Sequence, residues 1–487
     1  MKKFMTIFAV LAVVFFVVSC GGDSKEEEKT DTGDTSADND IDTGDTSTDN
    51  DAADTGDTAT DAGDTEDDSD TSTEIDDSDN GTEQEEGGSW ETKYKKADDH
   101  AKNVSEDVVK ANNDLGMRLF SKLAAGEAGK NVMISPLSIS IAMAMVTNGA
   151  SGENLDEMKD VLGFGEMELP NVNEQFMQLI ASLVEADKDL VLEIANSVWM
   201  DDEFEPDVKK EFVDVLEEFY DAAFFTEDFQ DEATAGKINA WVSEKTHEKI
   251  DKIIEKIGPA AVMYLINAIY FKAAWTTSFD KNSTYEDTFM LSDGSQGKAD
   301  YMRFAYDQEE PEFDSYSSDW SDENGYSVVR IPYGRDVFAF YGIVPNYGNK
   351  TKIDDFIEKI ANDGLETYFS QLEKRSFPVQ LPKFKFAYEK SLVDVFRELG
   401  MQKAFVEGAL MNIAGEPHAP FISDIYHKTF IEVNEEGTEA AAVTSVEVGD
   451  NAMPSGFFAT RPFVFVIRDD RTKSVLFIGK VENPKAE

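Results

Sequence analysis

The sequence has a single cysteine and four histidines among its 487 residues, and its 99 acidic residues far outnumber its 44 basic ones. One cysteine excludes an intramolecular disulfide, and so few Cys and His side chains give little support for transition-metal catalysis. The formal net charge of −55 argues against nucleic-acid binding, because phosphates are neutralised by clustered lysines and arginines. The same shortage of basic residues disfavours electrostatic docking on an anionic membrane.

Catalytic motifs are also missing or incomplete. The sequence has no Gly-x-Ser-x-Gly nucleophile elbow. The His247-Glu248 pair lacks its second zinc ligand, because Asp251 stands where a histidine is needed. Ser278–Lys281 matches one motif of penicillin-recognising enzymes, but Ser-Asp-Asn occurs only at 78–80 and Lys-Thr-Gly is absent. We therefore expect no enzymatic activity, no catalytic residue, no metal site and no cofactor.

The first 20 residues have the features of a secretory signal. Two lysines precede an apolar run, Phe4–Val18, that is too short for a comfortable membrane span. The run ends in Val17-Val18-Ser19-Cys20-Gly21, which resembles a bacterial lipobox, where a cysteine is lipidated and becomes the new N-terminus. An ordinary signal peptide with an incidental cysteine is the alternative. We expect residues 1–19 to be a lipoprotein signal peptide and Cys20 to carry a lipid that anchors the secreted protein to the bacterial cell envelope.

Residues 23–89 contain no Leu, Val, Met, Phe, Tyr or Trp, and they hold 27 acidic residues against two basic ones. The pentapeptide Asp-Thr-Gly-Asp-Thr recurs, starting at Asp31, Asp42 and Asp54. Low hydrophobicity and high charge predict disorder. Calcium binding is an alternative, although Gly44 lies one place late for a calcium loop. We interpret residues 20–94 as a self-repelling spacer in front of a globular domain, residues 95–487.

Residues 91–487 carry a charge of −32, from 72 acidic and 40 basic residues. Apolar residues at helical spacing predict helices over Glu106–Leu123, Ile139–Val146, Phe204–Phe219 and Ile238–Ile254. Apolar runs predict strands over Val262–Phe271, Tyr326–Pro332, Phe338–Val344, Phe377–Leu381, Phe463–Ile467 and Val475–Val481. Because helices dominate early and strands late, we predict an α+β fold.

Several blocks occur in one order between about residue 105 and residue 484. They are Asn131–Ser140, Asn267–Lys272 with Trp275, Leu381–Phe384, Leu399–Met401 with Ala404-Phe405, His427-Lys428, Ile431–Thr444, and Arg461–Phe463 with Phe477–Pro484. Together they resemble the serpin family of protease inhibitors. The resemblance implies helices packed around three mainly antiparallel β-sheets, with an exposed reactive-centre loop. A long acidic connection, residues 303–325, and Met411-Asn412-Ile413 depart from the family pattern, and we interpret both as surface-loop variation.

Residues 438–449 alternate with a period of two, as a strand with one buried face does. One face is small or apolar throughout: Thr438, Ala440, Ala442, Thr444, Val446 and Val448. The other face carries every charge: Glu439, Ala441, Val443, Ser445, Glu447 and Gly449. If the segment joins a sheet, nothing on the first face would block it, because a bulky or charged residue there would bury an unpaired polar group and none is present. A helix over Glu435–Ala442 is the alternative, since Ala and Glu favour helices, but Gly437 weakens it.

The resemblance also implies roles for individual residues. It makes one segment a hinge that inserts into the main sheet: Glu435, Gly437, Thr438, Glu439, Ala440, Ala441, Ala442, Val443 and Thr444. The family's spacing from Glu435 places the cleaved bond at Asn451–Ala452, with Asp450 and Met453 as rival positions. It further implies that Lys383 pairs with Glu435 at the top of the sheet. Under the midpoint of the sheet it implies a hydrogen-bonded cluster of Ser135, Asn267 and His427.

The expected function is suicide inhibition of serine-type endopeptidases by a monomeric protein. A target protease attacks the bond after Asn451 and forms a covalent acyl-enzyme, and the freed hinge then inserts into the sheet and traps it. Inhibition of cysteine proteases is an alternative. A non-inhibitory family member acting as a binding module is another, although such members tend to carry charged or bulky residues where this chain has Thr438, Ala440 and Ala442.

Overall fold

A computed structural model of the chain describes residues 89–304, 311–438 and 456–486. Ten α-helices occur in these residues: α1 Trp90–Asn103, α2 Glu106–Gly126, α3 Pro136–Thr147, α4 Gly152–Leu162, α5 Leu169–Leu183, α6 Lys210–Tyr220, α7 Ala233–Lys245, α8 Ile353–Asp363, α9 Leu365–Phe369 and α10 Val393–Glu398. Short 3-10 helices cover Asp202–Asp207, Lys281–Ser283 and Lys403–Phe405. Within the described ranges, no helix has the length and apolar character needed to cross a membrane.

Seventeen strands occur in the same residues. They are β1 Val132–Ile134, β2 Leu190–Asp201, β3 Ala223–Glu227, β4 Met263–Ala274, β5 Tyr285–Met290, β6 Gln296–Met302, β7 Glu312–Ser317, β8 Tyr326–Tyr333, β9 Phe338–Pro345, β10 Glu373–Ser376, β11 Val379–Pro382, β12 Phe384–Ser391, β13 Asp424–Asn434, β14 Gly437–Thr438, β15 Phe457–Phe458, β16 Phe463–Asp469 and β17 Ser474–Val481.

The strands form three sheets. The main sheet has six strands in the order β12-β13-β14-β4-β2-β3. A second sheet has seven, β1-β17-β16-β9-β8-β7-β10, and a third has four, β15-β11-β6-β5. Most pairings are antiparallel, and β13 with β4, β2 with β3, and β11 with β15 are parallel. The predicted α+β fold with helices around three mainly antiparallel sheets is confirmed.

The main sheet lies between two apolar layers. One face packs on the large core, to which β4 contributes Ile269, Phe271 and Ala273. The opposite face contributes Tyr264 and Ile266 to a smaller cluster with residues of α7. Because β4 is buried on both faces along most of its length, anything inserted beside it has one face directed into the large core.

The first residues of two helices near the start of the domain are explained by their sequences. Ser105 caps α2 by accepting a hydrogen bond from the Asp107 N–H, and the buried residues of α2 have helical spacing. Ser135 caps α3 in the same way, and Pro136 occupies a tolerated first position. All twelve residues of α3 are buried, so this helix lies inside the core under the main sheet.

Two other helices differ from the prediction. The 3-10 helix Asp202–Asp207 contains Pro206, and α6 begins only at Lys210. α7 spans Ala233–Lys245, earlier than predicted, because His247 and Glu248 adopt left-handed backbone angles that end a right-handed helix. Strand β2 was not predicted, since it is buried on both faces over its second half and has no clean alternation there.

Candidate functional site

The top of the main sheet is opened by the beginning of the hinge. Residues Asp424–Thr429 of β13 pair directly with Tyr264–Ile269 of β4. Above this, the short strand β14 lies between the two and pairs antiparallel with both: Val433 and Asn434 on β13, Ala273 and Ala274 on β4. We call this region, where β14 separates β13 from β4, the sheet opening. The helix alternative for the hinge is wrong at residues 435–438, which form a turn and a strand.

Gly437 is required by how closely β14 approaches β4. Its φ is +156°, and a Cβ built on it would lie 2.0 Å from the carbonyl oxygen of Ala273 and 2.8 Å from Cα of Ala274. Any side chain would push the hinge away from β4. The glycine therefore allows the first residues of the hinge to enter the sheet.

Thr438 points into the molecule and is held by a buried tyrosine. The Thr438 side chain is buried, and its hydroxyl lies 2.7 Å from the hydroxyl of Tyr333 on β8. Burial raises the pKa of Tyr333, so its phenol stays protonated. Trp275 stacks on Tyr333 with ring centroids 4.5 Å apart, and its Nε1 donates to the carbonyl of Asn434 at 2.9 Å. This aromatic pair thus contacts both sides of the turn that starts the hinge.

Glu435 anchors the turn that leads into β14. Its side chain is only 2% exposed, and Lys383 Nζ lies 3.0 Å from one carboxylate oxygen and 3.1 Å from the other. The Thr284 hydroxyl donates to the same carboxylate at 2.6 Å, and the Phe279 N–H donates to the Glu435 carbonyl at 2.9 Å. The next residue, Glu436, forms an exposed ion pair with Lys281. Buried charge is paired here, as a low-dielectric site requires.

A second polar cluster lies lower in the sheet, where β13 and β4 pair directly. His427 is fully buried, and burial lowers its pKa to about 3. Its neutral ring has a defined tautomer: Nε2 accepts from the Ser135 N–H at 3.2 Å, so Nδ1 donates to Asn267 Oδ1 at 2.6 Å. Asn267 donates in turn to Asn196 Oδ1 and to the Ser138 hydroxyl. We call these five residues the midsheet cluster, which joins β2, β4, β13 and the start of α3.

Several of the predicted site residues lie outside the described residues. They are Glu439, Ala440, Ala441, Ala442, Val443 and Thr444 of the hinge, Asp450, Asn451, Ala452 and Met453 around the cleaved bond, and Cys20. The chain is described again from Gly456, and β15 then pairs in parallel with β11, Phe457 opposite Val379.

Sequence reasoning missed several members of the site. Tyr333 and Thr284 hold the hinge, and Asn196 and Ser138 complete the midsheet cluster, yet none was singled out. Ser135 contributes its backbone N–H to His427, while its hydroxyl caps α3. A signal did exist for Asn196, because it lies in the mostly apolar run Leu190–Met200, and a buried amide requires a hydrogen-bond partner.

Comparisons with known proteins agree on one family. A family model described as Serpin (serine protease inhibitor) matches residues 110–484. A serine protease inhibitor of Cyanea capillata is 33% identical over 382 residues, which cover 77% of this chain and 98% of that protein. The crystal structure of the thermophilic serpin tengpin in its native state matches with a TM-score of 0.68 and 31% identity, covering 78% of this chain and 95% of tengpin. Thyroxine-binding globulin in complex with thyroxine matches with a TM-score of 0.69 and 25% identity, covering 78% and 99%.

Proposed function

Because the chain belongs to the serpin family, whose members are typically serine protease inhibitors, we propose that it traps serine endopeptidases irreversibly. The target serine attacks the carbonyl of Asn451, the amine of Ala452 leaves, and the protease stays bound as an acyl-enzyme on Asn451. The hinge then continues into the main sheet and carries the protease with it. The observation that supports this most is β14, because the insertion has its first two residues already paired between β13 and β4.

The register of β14 defines where the following residues would lie. Thr438 is opposite Val433 on one side and Ala273 on the other. An antiparallel strand that keeps this register brings Val448 opposite Met263, the first residue of β4. The main sheet therefore offers pairing for Gly437–Val448, a length of about 40 Å. The proposed cleaved bond follows three residues beyond that strand.

Burial along the flanking strands supports the inward face predicted from the sequence. In β13, the residues with odd numbers from Ile425 to Val433 are buried, and their neighbours up to Glu432 are partly exposed. Thr438 faces inward beside Val433, so even-numbered hinge residues share the core side. This is the face without charge, from Thr438 to Val448.

Complete insertion requires the midsheet cluster to open. In the same register Thr444 arrives between His427 and Asn267, which at present pair across β13 and β4 and share a hydrogen bond. The hydroxyl of Thr444 would then be available for hydrogen bonds with His427 and Asn267, which insertion separates. The cluster holds the lower half of the sheet closed until cleavage frees the loop.

We further propose that the protein works outside the cytoplasm as a monomer. Cys20 anchors it to a bacterial envelope, and the acidic segment 20–94 separates the anchor from the inhibitory domain, 95–487. The basis is the signal-like start and the composition of residues 23–89.

The test is to incubate the full-length chain with trypsin-, chymotrypsin-, elastase- and subtilisin-type serine proteases and a papain-type cysteine protease. We expect an SDS-stable complex with at least one serine protease, and a released C-terminal peptide that begins at Ala452. A protease with its catalytic serine blocked is the control and forms no such complex. Cleavage of the loop by every protease without a stable complex would show that the inhibitory proposal is wrong.

That outcome would favour the second candidate, a non-inhibitory binding module. The likeness to thyroxine-binding globulin shows that this fold also holds a small ligand in another protein. Inhibition of a papain-type enzyme alone would favour the cysteine-protease alternative.

A further inference from the structure

The connection between β7 and β8 forms a surface that the inhibitory mechanism does not use. This β7–β8 loop, residues 318–325, packs against residues 345–349 after β9. Beside them is a depression of about 390 Å³. Its lining includes Trp320, Tyr347, Gly456, Phe458, Thr460 and Arg461. The depression thus lies where the chain returns from the reactive loop into the third sheet.

Two aromatic side chains on this surface are unusually exposed. Trp320 is 64% exposed and Tyr347 is 55% exposed. Of the large apolar side chains that are exposed in the described ranges, these are the aromatic ones. Exposed Trp and Tyr are enriched in protein interfaces, where they bury much area for little conformational entropy.

The surface is held rigidly. Gly348 N–H donates to the Trp320 carbonyl at 2.8 Å, and Asn346 N–H donates to the Gly325 carbonyl at 2.9 Å. The Asn346 side-chain amide donates to the Ser318 carbonyl at 3.1 Å. A Cβ on Gly348 would lie 2.4 Å from the backbone of Ser321, so the two loops are in close contact. A preorganised surface loses little entropy when a partner binds it.

The charges around the two aromatic residues differ in sign between the two loops. The β7–β8 loop holds Asp319, Asp322 and Glu323 and no basic residue. Arg461 is partly buried in the depression, with its guanidinium 4.9 Å from the ring centre of Tyr347. Lys350 is exposed, and its Nζ lies 4.6 Å from the same ring centre. The rim is therefore acidic on the side of the β7–β8 loop and basic beside Tyr347.

We propose that Trp320 and Tyr347 form an exosite, a second contact surface for the target protease outside the reactive loop. The partner is the surface of the protease next to the part of its cleft that binds the residues after the cleaved bond. This surface is basic where it faces the β7–β8 loop. The proposal rests on the proposed function, since it assumes that a protease binds at Asn451–Ala452.

The proposed cleaved bond is close to the depression along the chain. Three residues lie between Ala452 and Gly456, so their Cα atoms are at most about 14 Å apart. A standard interface buries about 800 Å² on each partner, which corresponds to a disc of about 16 Å radius. A protease bound at the cleaved bond therefore reaches the depression that Gly456 lines.

The test uses the full-length chain and the panel protease that it traps fastest, both active and with the catalytic serine replaced by alanine. In the double variant Trp320→Ala/Tyr347→Ala, we expect the Kd for the inactive protease to rise by about tenfold or more. The rate constant for complex formation falls by a similar factor, and the number of inhibitor molecules used per trapped protease is unchanged because the hinge is intact. Val406→Ala is the control, since Val406 is 54% exposed and follows the 3-10 helix Lys403–Phe405.

Charge gives a second readout that does not disturb packing. Glu323 is exposed, so Glu323→Lys tests the rim without altering the core. We expect slower complex formation at low salt and a smaller difference at high salt. Equal rates for wild type, Glu323→Lys and the double variant would overturn the exosite while leaving the inhibitory proposal standing. If wild type traps no protease at all, the inhibitory proposal fails and the exosite fails with it.

Discussion

At the scale of single residues, the pKa of His427 depends on whether the midsheet cluster is closed around its ring. Its hydrogen-bonding partners, Ser135 and Asn267, are uncharged, and the buried ring has a pKa of about 3. When the midsheet cluster opens or the chain unfolds, the ring meets water and its pKa returns toward the usual value of about 6.5. Acid therefore favours every state in which the cluster is open.

The native state is predicted to lose stability as the pH falls below about 6.5. The folded pKa lies below the unfolded one, so between pH 6.5 and about 3 the unfolded chain binds the proton that the folded chain excludes. This contribution is complete above pH 6.5 and declines toward pH 3. Urea unfolding of wild type and His427→Gln at a series of pH values measures it. The variant is less stable at pH 7 and has a flatter pH profile, and parallel profiles would contradict the assignment.

The site could be predicted only in part at this scale. The roles of Lys383, Glu435 and His427 were predicted from the family resemblance, because each lies in a block of sequence that resembles the family. Tyr333 and Thr284 contact hinge residues 105 and 151 positions away in the chain, and the sequence around them carries no local pattern of that contact. Contacts between distant segments depend on the register of whole sheets, and single-sequence patterns do not determine that register.

At the scale of one element, the hinge begins with the short strand β14, which is already paired with β13 and β4. The chain offers a matched pair of alanines on its two faces. In the register of β14, Ala442 would lie between Thr429 and Ile269 on the buried side, and Ala441 would face outward.

Ala442→Glu is predicted to convert the inhibitor into a substrate, whereas Ala441→Glu is predicted to inhibit nearly as well as wild type. A carboxylate at position 442 would be buried without a partner at a cost of several kcal/mol, so insertion slows and the protease is released. Titration of the trapped protease with each variant gives the stoichiometry of inhibition, and SDS gels show the ratio of complex to cleaved chain. Equal behaviour of the two variants would refute the register.

The bounds of helices and strands were predicted well where a capping residue or an apolar run coincides with burial. The bounds of α2 and β8 follow the prediction closely, since a cap or an apolar run marks them. α7 does not, because Ile250, Ile253 and Ile254 continue the helical spacing although they lie beyond its end and pack as a loop. α1 begins at Trp90 and so crosses the expected boundary at residues 94 and 95. Its sequence is polar enough to resemble the spacer, and only Ala97 and Ala101 are buried.

At the scale of the whole molecule, the acidity that excluded nucleic acid has two separate consequences. The charge of −32 on residues 91–487 would steer a basic partner toward the domain, in agreement with the acidic β7–β8 loop of the proposed exosite. The charge of residues 23–89 belongs to the proposed spacer. The proposed function depends on Thr438–Val448, a segment whose even-numbered residues carry no charge.

The intact protein is predicted to be less stable than the same protein after its loop is cut. β14 separates β13 from β4 only at the top of the main sheet, and the two strands pair directly below it. Complete insertion of Gly437–Val448 would replace that direct pairing with a central strand that has hydrogen bonds on both sides. The inserted strand gains backbone hydrogen bonds on both sides and buries its uncharged face against the large core, so we expect Tm to rise by roughly 10–20 °C. Calorimetry of intact and cleaved protein measures the rise. Cleaved Ala442→Glu is the control and gains less, because its strand cannot be completed, and an unchanged Tm after cleavage would mean that the native sheet is not kinetically trapped.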